Sequence, residues 1–160
     1  MAVLDQSCIE GAREQKGSTM SKMKLTTDPT PILLVEDNPA DARLTEEIIS
    51  ETCCSVSISV VRDGDEAIKT IDRMYRDGRM PSLILLDLKL PKRGGLEVLK
   101  HIRRLDKCRD VKVAILTGSL LPEDRMGANE LKADAYLIKP MTIGEFGEIA
   151  AALKSLIMTC

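Results

Sequence analysis

The chain has 160 residues, 44% of them hydrophobic and 30% charged, a globular composition with length for about one domain and an apolar core of its own. Twenty-three basic residues against 25 acidic ones leave a formal charge of -2, without the basic excess that marks a nucleic-acid coat. No apolar run approaches the ~20 residues of a membrane span, and the start MAVLDQSCIEGAREQ, with Asp5 and Glu10, does not read as a secretory signal. A cytoplasmic protein that contacts neither nucleic acid nor membrane is therefore expected.

The first thirty residues are polar and unpatterned and end in Thr27-Asp28-Pro29-Thr30-Pro31, whose prolines disfavour helix. Residues 1–30 read as a flexible leader, or as residues ahead of a true start at Met20 or Met23, and 31–158 as one domain. From Pro31 the pattern changes. ILLV (32–35) is a short apolar run, followed by an acidic loop and then DARLTEEIISE (41–51), where Ala42, Leu44, Ile48 and Ile49 take helical spacing. SVSISVV (55–61) is β-branched and alternating, a strand. A helix over 64–76 carries the stripe Ala67, Ile68, Ile71 and Met74. SLILLD (82–87) is an apolar strand ending in one acid, and 96–105 is helical through Leu96, Leu99 and Ile102. A strand over 111–117, a short helix over 123–131, a strand over 135–139 and a terminal amphipathic helix over 142–157 complete the pattern.

Five βα units of this kind, with strands apolar on both faces, predict an α/β fold: a doubly wound, five-stranded parallel sheet covered by helices on both sides. Cysteines 8, 53, 54, 108 and 160 are odd in number and lack C-x-x-C spacing, so neither a disulfide framework nor a zinc site is indicated. Cys53 and Cys54 close the first helix and read as packing. The lone His101 excludes any scheme that needs several imidazoles. One Phe, two Tyr and no Trp leave little surface for stacking bases.

Ligands of an open doubly wound sheet bind beyond the carboxyl ends of its strands. The first strand ends in Glu36-Asp37, the third in Asp87, the fourth in Thr117 and the fifth in Lys139-Pro140, whereas Arg62-Asp63-Gly64 after the second reads as an ordinary turn. Two like charges about 4 Å apart repel by ~4 kcal/mol at an effective dielectric near 20, so three clustered carboxylates must take up protons or hold a cation. Oxygen-only ligands favour Mg²⁺, or Mn²⁺, over zinc. A carboxylate flanked by such a cation and by Lys139 is suited to accept a phosphoryl group, because those charges stabilise its equatorial oxygens; Thr117 can donate one more hydrogen bond.

ILLVEDNPAD, LILLDLKLP, ILTGS and AYLIKP together resemble the receiver domain of two-component response regulators, over about residues 31–158. The resemblance implies a (βα)5 sheet of flavodoxin-like order 2-1-3-4-5. It implies Asp87 as phosphoacceptor, Mg²⁺ held by Asp37 and Asp87, Glu36 acting through a metal-bound water, and the Lys89 carbonyl as a further ligand. Thr117 and Lys139 then engage the phosphoryl group, and Tyr136 matches the family's switch aromatic, though it also reads as a core tyrosine. Pro140 matches a family position preceded by a cis bond. Gly94 replaces the usual polar residue of the loop that begins at Pro91. Lys89 and Ser119 occupy positions that modulate phosphoryl lifetime in the family, and the small Gly118 leaves the acceptor accessible.

The wording around 36–44 and 87–99 also resembles small stand-alone receivers paired with phytochrome-type histidine kinases. The implied partners are a sensor histidine kinase as donor and a homodimer mate or downstream protein as target. The expected function is a phosphorelay switch, not an enzyme beyond self-phosphorylation and autodephosphorylation. The alternative is a phosphate-independent binding module on the same fold, against which the intact residue set stands. A haloacid-dehalogenase-type phosphatase needs an acid where Lys89 stands. Asn38 or Asp41 can cap the first helix. The run Lys100, His101, Arg103, Arg104, Lys107 and Arg109 falls at a helix carboxyl end and reads as a solvated face that complements the macrodipole.

Overall fold

Short apolar runs and 3.6-residue stripes become strands and helices where the spacing places them. The computed structural model describes residues 28–53 and 55–158, so most of the expected leader and Cys54 lie outside the described residues. The strands are β1 (Thr30–Val35), β2 (Val56–Val61), β3 (Leu83–Leu86), β4 (Lys112–Thr117) and β5 (Ala135–Ile138). The helices are α1 (Pro39–Thr52), α2 (Gly64–Arg76), α3 (Gly95–Arg104), α4 (Pro122–Glu130) and α5 (Phe146–Met158). Thr30, placed in the leader by sequence, already belongs to β1, and its N–H donates to the Ser55 carbonyl at 3.1 Å.

The strands pair in the order β2-β1-β3-β4-β5, all parallel, with Leu34 opposite Leu85 and Leu85 opposite Ala114. Side chains alternate across a strand, so each strand feeds two cores. Leu33, Val35, Ile84, Leu86, Val113 and Ile115 pack against α2 and α3 on one face. Ile32, Leu34, Leu83, Leu85, Ala114 and Leu116 pack against α1 and α5 on the other. Burying one such side chain contributes about 1.5–3 kcal/mol. β5 is only half-buried throughout, because it is an edge strand.

The helix starts carry local chemistry that aims the loops. Asn38 Oδ1 accepts the N–H groups of Ala40 (2.9 Å) and Asp41 (3.4 Å), with Pro39 in the first turn, so Asn38 and not Asp41 caps α1. Asp63 Oδ1 accepts from Glu66 N–H at 2.7 Å and caps α2. The expected helix over 142–157 begins instead as a 3-10 turn, Ile143–Glu145, before α5. At the start of α3, Gly95 donates to the Leu88 carbonyl at 2.9 Å; a Cβ there would lie 2.1 Å from the Asp87 carbonyl oxygen, so only glycine allows the approach.

The basic run is not uniformly a solvated face. The Arg103 guanidinium folds back to the carbonyls of Val111 (3.1 Å) and Lys132 (2.9 Å) and to Asp134 Oδ2 (3.1 Å). His101 Nε2 lies 2.7 Å from Asp72 Oδ1 on α2. Both side chains meet partners that the chain brings from 29 or more residues away, or from the far end of the same helix's loop, where the macrodipole argument alone cannot see them.

Candidate functional site

Three strand ends meet at the carboxyl rim, and the backbone ladder runs one residue beyond each strand to fix them. Glu36 N–H donates to the Val61 carbonyl (3.0 Å), Asp87 N–H to Val35 (3.0 Å) and Lys139 N–H to Thr117 (2.9 Å). The side chains that follow are therefore held on rigid backbone at the edge of the sheet. Glu36 is 2% exposed and Asp87 5%. One oxygen each of Glu36, Asp37 and Asp87 lie within 4.8 Å of one another, with Asp37 on the solvent side.

Lys139 reaches into this cluster from β5. Its Nζ lies 2.5 Å from Glu36 Oε2, 2.9 Å from Asp87 Oδ2 and 2.9 Å from Asp41 Oδ2. An ammonium has three N–H donors, and three carboxylates face them. Burial alone would lower the Lys139 pKa; the hydrogen bonds to Glu36, Asp87 and Asp41 outweigh it and hold the group above its ordinary value. Burial pushes the Glu36 carboxyl up, against the opposing pull of Lys139 and of the Asn38 N–H, which Glu36 Oε1 accepts at 3.0 Å. Three carboxylates share the ammonium and Asp37 adds a fourth acid beside them, so acids outnumber the single base at this rim. The donors are all hard oxygens, as a magnesium- or manganese-type ion requires, so the residues fit such an ion.

The remaining predicted residues fall around this centre. Lys89 N–H donates to Asp87 Oδ1 at 3.3 Å, which turns the loop after β3 back over the acid. Thr117 is fully buried at the end of β4, and its hydroxyl oxygen accepts Ser119 N–H at 3.3 Å. The space beside Gly118 is open. Tyr136 is half-buried on β5; its hydroxyl donates to the Ser119 carbonyl at 3.2 Å, and the Arg125 guanidinium stands 5.0 Å from its ring centroid. The Ser119 hydroxyl is itself bonded to Asp124 on α4. Burial pushes the Tyr136 phenol up. One expectation is corrected: the Lys139–Pro140 peptide is trans, the ordinary preference of an X-Pro bond.

Sequence reasoning missed two features. The sequence alone suggests only a cap for Asp41, although it stands in the first turn of α1, four positions after Asp37 and above the same rim. Asp63 was read as an ordinary turn residue, yet it pairs with Lys92 at 2.8 Å while Asp65 pairs with Arg93 at 2.7 Å. These pairs lay the loop after β3 across the start of α2, where Gly64 N–H donates to the Pro91 carbonyl at 3.2 Å and Lys92 takes a φ of 67°.

A 2-1-3-4-5 parallel sheet with an oxygen-lined acidic pocket and a lysine at its carboxyl rim defines a doubly wound protein of the flavodoxin-like class. The chain belongs to the response regulator receiver domain family, whose model matches residues 32–151. It is 33% identical over 129 residues to response regulator Rcp1 of Synechocystis, covering 79% of this chain and 88% of that one. The crystal structure of the phosphorylated cyanobacterial phytochrome response regulator RcpA matches with a TM-score of 0.74 at 31% identity, over 82% of this chain and 95% of that one. The manganese-bound form of Rcp1 matches at 0.72 and 32% identity, over 82% and 97%. A Pseudomonas aeruginosa histidine kinase receiver domain, which holds a magnesium ion in its active-site cleft, matches at 0.63 and 28%, over 79% and 98%. Among the described residues, no helix is long and apolar enough to cross a membrane.

Proposed function

We propose that the protein is a response regulator of a two-component phosphorelay that takes a phosphoryl group from a histidine kinase onto Asp87. The observation that carries this reading is the Lys139 ammonium 2.9 Å from Asp87 Oδ2, beside carboxylates that can hold a divalent cation. Asp37 and Asp87, with the Lys89 carbonyl, would bind Mg²⁺ or Mn²⁺ directly and Glu36 would act through water. A cation there supplies positive charge to the phosphoryl oxygens as they approach.

Asp87 Oδ attacks phosphorus as the bond from phosphorus to the donor's imidazole nitrogen breaks. The electron pair of that bond stays on nitrogen, and the phosphoryl oxygens pass intact to the new acyl phosphate. Lys139 and the Thr117 hydroxyl bind those oxygens, adding charge-assisted contacts where negative charge collects. The phosphoryl group adds about 1.5–2 negative charges. Moving a two-state surface from 1:99 to 99:1 takes about 5.5 kcal/mol of differential interaction, within the reach of several such contacts. Thr117, Ser119 and Tyr136 are joined by hydrogen bonds and Ser119 reaches Asp124 on α4, so a shift of Thr117 passes toward the α4 side of the surface, and the output is a changed protein–protein contact with a second copy or a downstream protein.

The chain acts as acceptor and switch, not as an enzyme turning over a separate substrate; its own chemistry is self-phosphorylation from small donors and hydrolysis of its aspartyl phosphate. Its likeness to RcpA supports a phytochrome-type kinase as the donor. Mass spectrometry after incubation with acetyl phosphate, with and without Mg²⁺, on wild type and Asp87→Asn tests the reading. The expected result is a gain of one phosphoryl group that needs Mg²⁺ and is absent in the variant. No gain in wild type under either condition overturns it in favour of a phosphate-independent binding module.

A further inference from the structure

We propose that Asp41 is a positioning residue that holds the Lys139 ammonium over Asp87 when the other carboxylates turn to the cation and the phosphoryl group. This rests on the phosphoacceptor reading and deepens it. Lys139 Nζ has three carboxylate partners, Glu36, Asp87 and Asp41. Two of them, Glu36 and Asp87, belong to the cluster whose oxygens lie within 4.8 Å of one another; Asp41 does not. A cation drawn into that cluster competes with Lys139 for Glu36 and Asp87, and phosphorylation consumes an Asp87 oxygen. Asp41 is the one partner that neither event removes.

Its placement suits that part. Asp41 stands in the first turn of α1, whose start is fixed by the Asn38 cap, and its carbonyl accepts the Thr45 hydroxyl at 2.9 Å, so its backbone is rigid. Its carboxylate approaches Lys139 from the α1 side at 38% exposure, while the lysine is 19% exposed. A lysine has four rotatable side-chain bonds and regains them at once if it is released to water. One retained carboxylate keeps the ammonium at the rim with two N–H donors free for phosphoryl oxygens. Asp41 also lies where a negative charge favours the helix N-terminus, a purely structural role that the experiment must separate.

The test follows phosphorylation by acetyl phosphate at saturating Mg²⁺ over a range of donor concentrations, for wild type, Asp41→Asn and Asp41→Glu. For a pair this exposed, Asp41→Asn is expected to lower the maximal rate about three- to fivefold. The half-saturating concentrations of donor and Mg²⁺ should stay within about twofold, because Asp41 touches neither. Asp41→Glu should recover at least half of the lost rate. A wild-type maximal rate in Asp41→Asn overturns the proposal, and so does an equal loss in Asn and Glu variants, which would mark a packing role. A wild type that gains no phosphoryl group overturns the acceptor reading and this proposal with it, so the two failures are distinct.

Discussion

The Tyr136 hydroxyl donates to the backbone carbonyl of Ser119, two residues beyond Thr117, at 3.2 Å. Thr117 in turn accepts the Ser119 N–H through its hydroxyl oxygen, so the same residue is gripped from both sides. A movement of Thr117 toward a phosphoryl group must therefore break or carry along the contact that holds the tyrosine. Arg125, against the ring face, stands on α4, so the tyrosine also touches that helix.

Burial raises the Tyr136 phenol above its ordinary value, which gives a pH dependence of definite sign. The folded protein holds that proton more tightly than the unfolded chain does, so the stabilisation is complete below the ordinary tyrosine value near 10 and fades as pH rises through the folded value. Denaturant unfolding from about pH 9 to pH 11 should show a steeper alkaline loss in wild type than in Tyr136→Phe. Parallel curves would exclude the linkage.

The carboxylate surplus at the rim predicts stabilisation by hard divalent cations. At a concentration about 100 times its dissociation constant, a cation that binds only the folded state contributes about 2.7 kcal/mol. Thermal melts with Mg²⁺ or Mn²⁺ should rise against melts in chelator, and Asp37→Asn should lose most of the increment. A melting temperature indifferent to both ions would contradict the cluster's assignment as a cation site.

Removing the ammonium exposes the same surplus from the other side. Lys139→Met leaves Glu36 and Asp87 facing each other without a counter-charge, a change that costs ~3–5 kcal/mol for fully buried pairs and falls at the low end here because Asp41 is solvated. Adding Asp87→Asn to that variant should restore part of the loss, as a double-mutant cycle by denaturant unfolding reads directly. Additive single costs would argue against the contact.

Gly95→Ala tests the geometry of the loop that follows Asp87. Its Cβ would collide with the Asp87 carbonyl oxygen at 2.1 Å and with the Leu88 Cα at 2.7 Å, backbone atoms that cannot rotate away. The expected cost is about 1–3 kcal/mol, the range for overpacking. Gly118→Ala, with open space at its Cβ, should cost less than about 0.5 kcal/mol. Equal effects at the two positions would show that the loop after β3 yields.

The strands and helices were legible because each apolar run and stripe is local: Leu83–Leu86 needs no partner to read as a buried strand. Their spatial order was not local, and 2-1-3-4-5 came from the resemblance to receivers before the register bore it out. Glu36, Asp37, Asp87 and Lys139 could be gathered on one rim because each follows a strand. Asp41 could not, since its contact with Lys139 spans 98 positions and crosses from a helix to an edge strand. Asp72 with His101 and Asp63 with Lys92 escaped for the same reason. The trans bond before Pro140 shows where likeness to a family outran the chain's own residues.

The Arg103 strap secures the end of the sheet opposite the acidic rim. It joins the carbonyls of Val111 and Lys132 to Asp134, whose Oδ2 also accepts Val113 N–H at 2.7 Å. Asp134 immediately precedes β5 and Lys139 follows its close, five residues on and about 16 Å away at the rise of a strand. Glu130 and Lys132 flank the strapped end. A dye or solid support coupled at Glu130 thus sits a full strand's length behind the acidic rim. The molecule can be anchored from the rear with its acidic pocket presented outward, an orientation suited to reading cation binding on a solid surface.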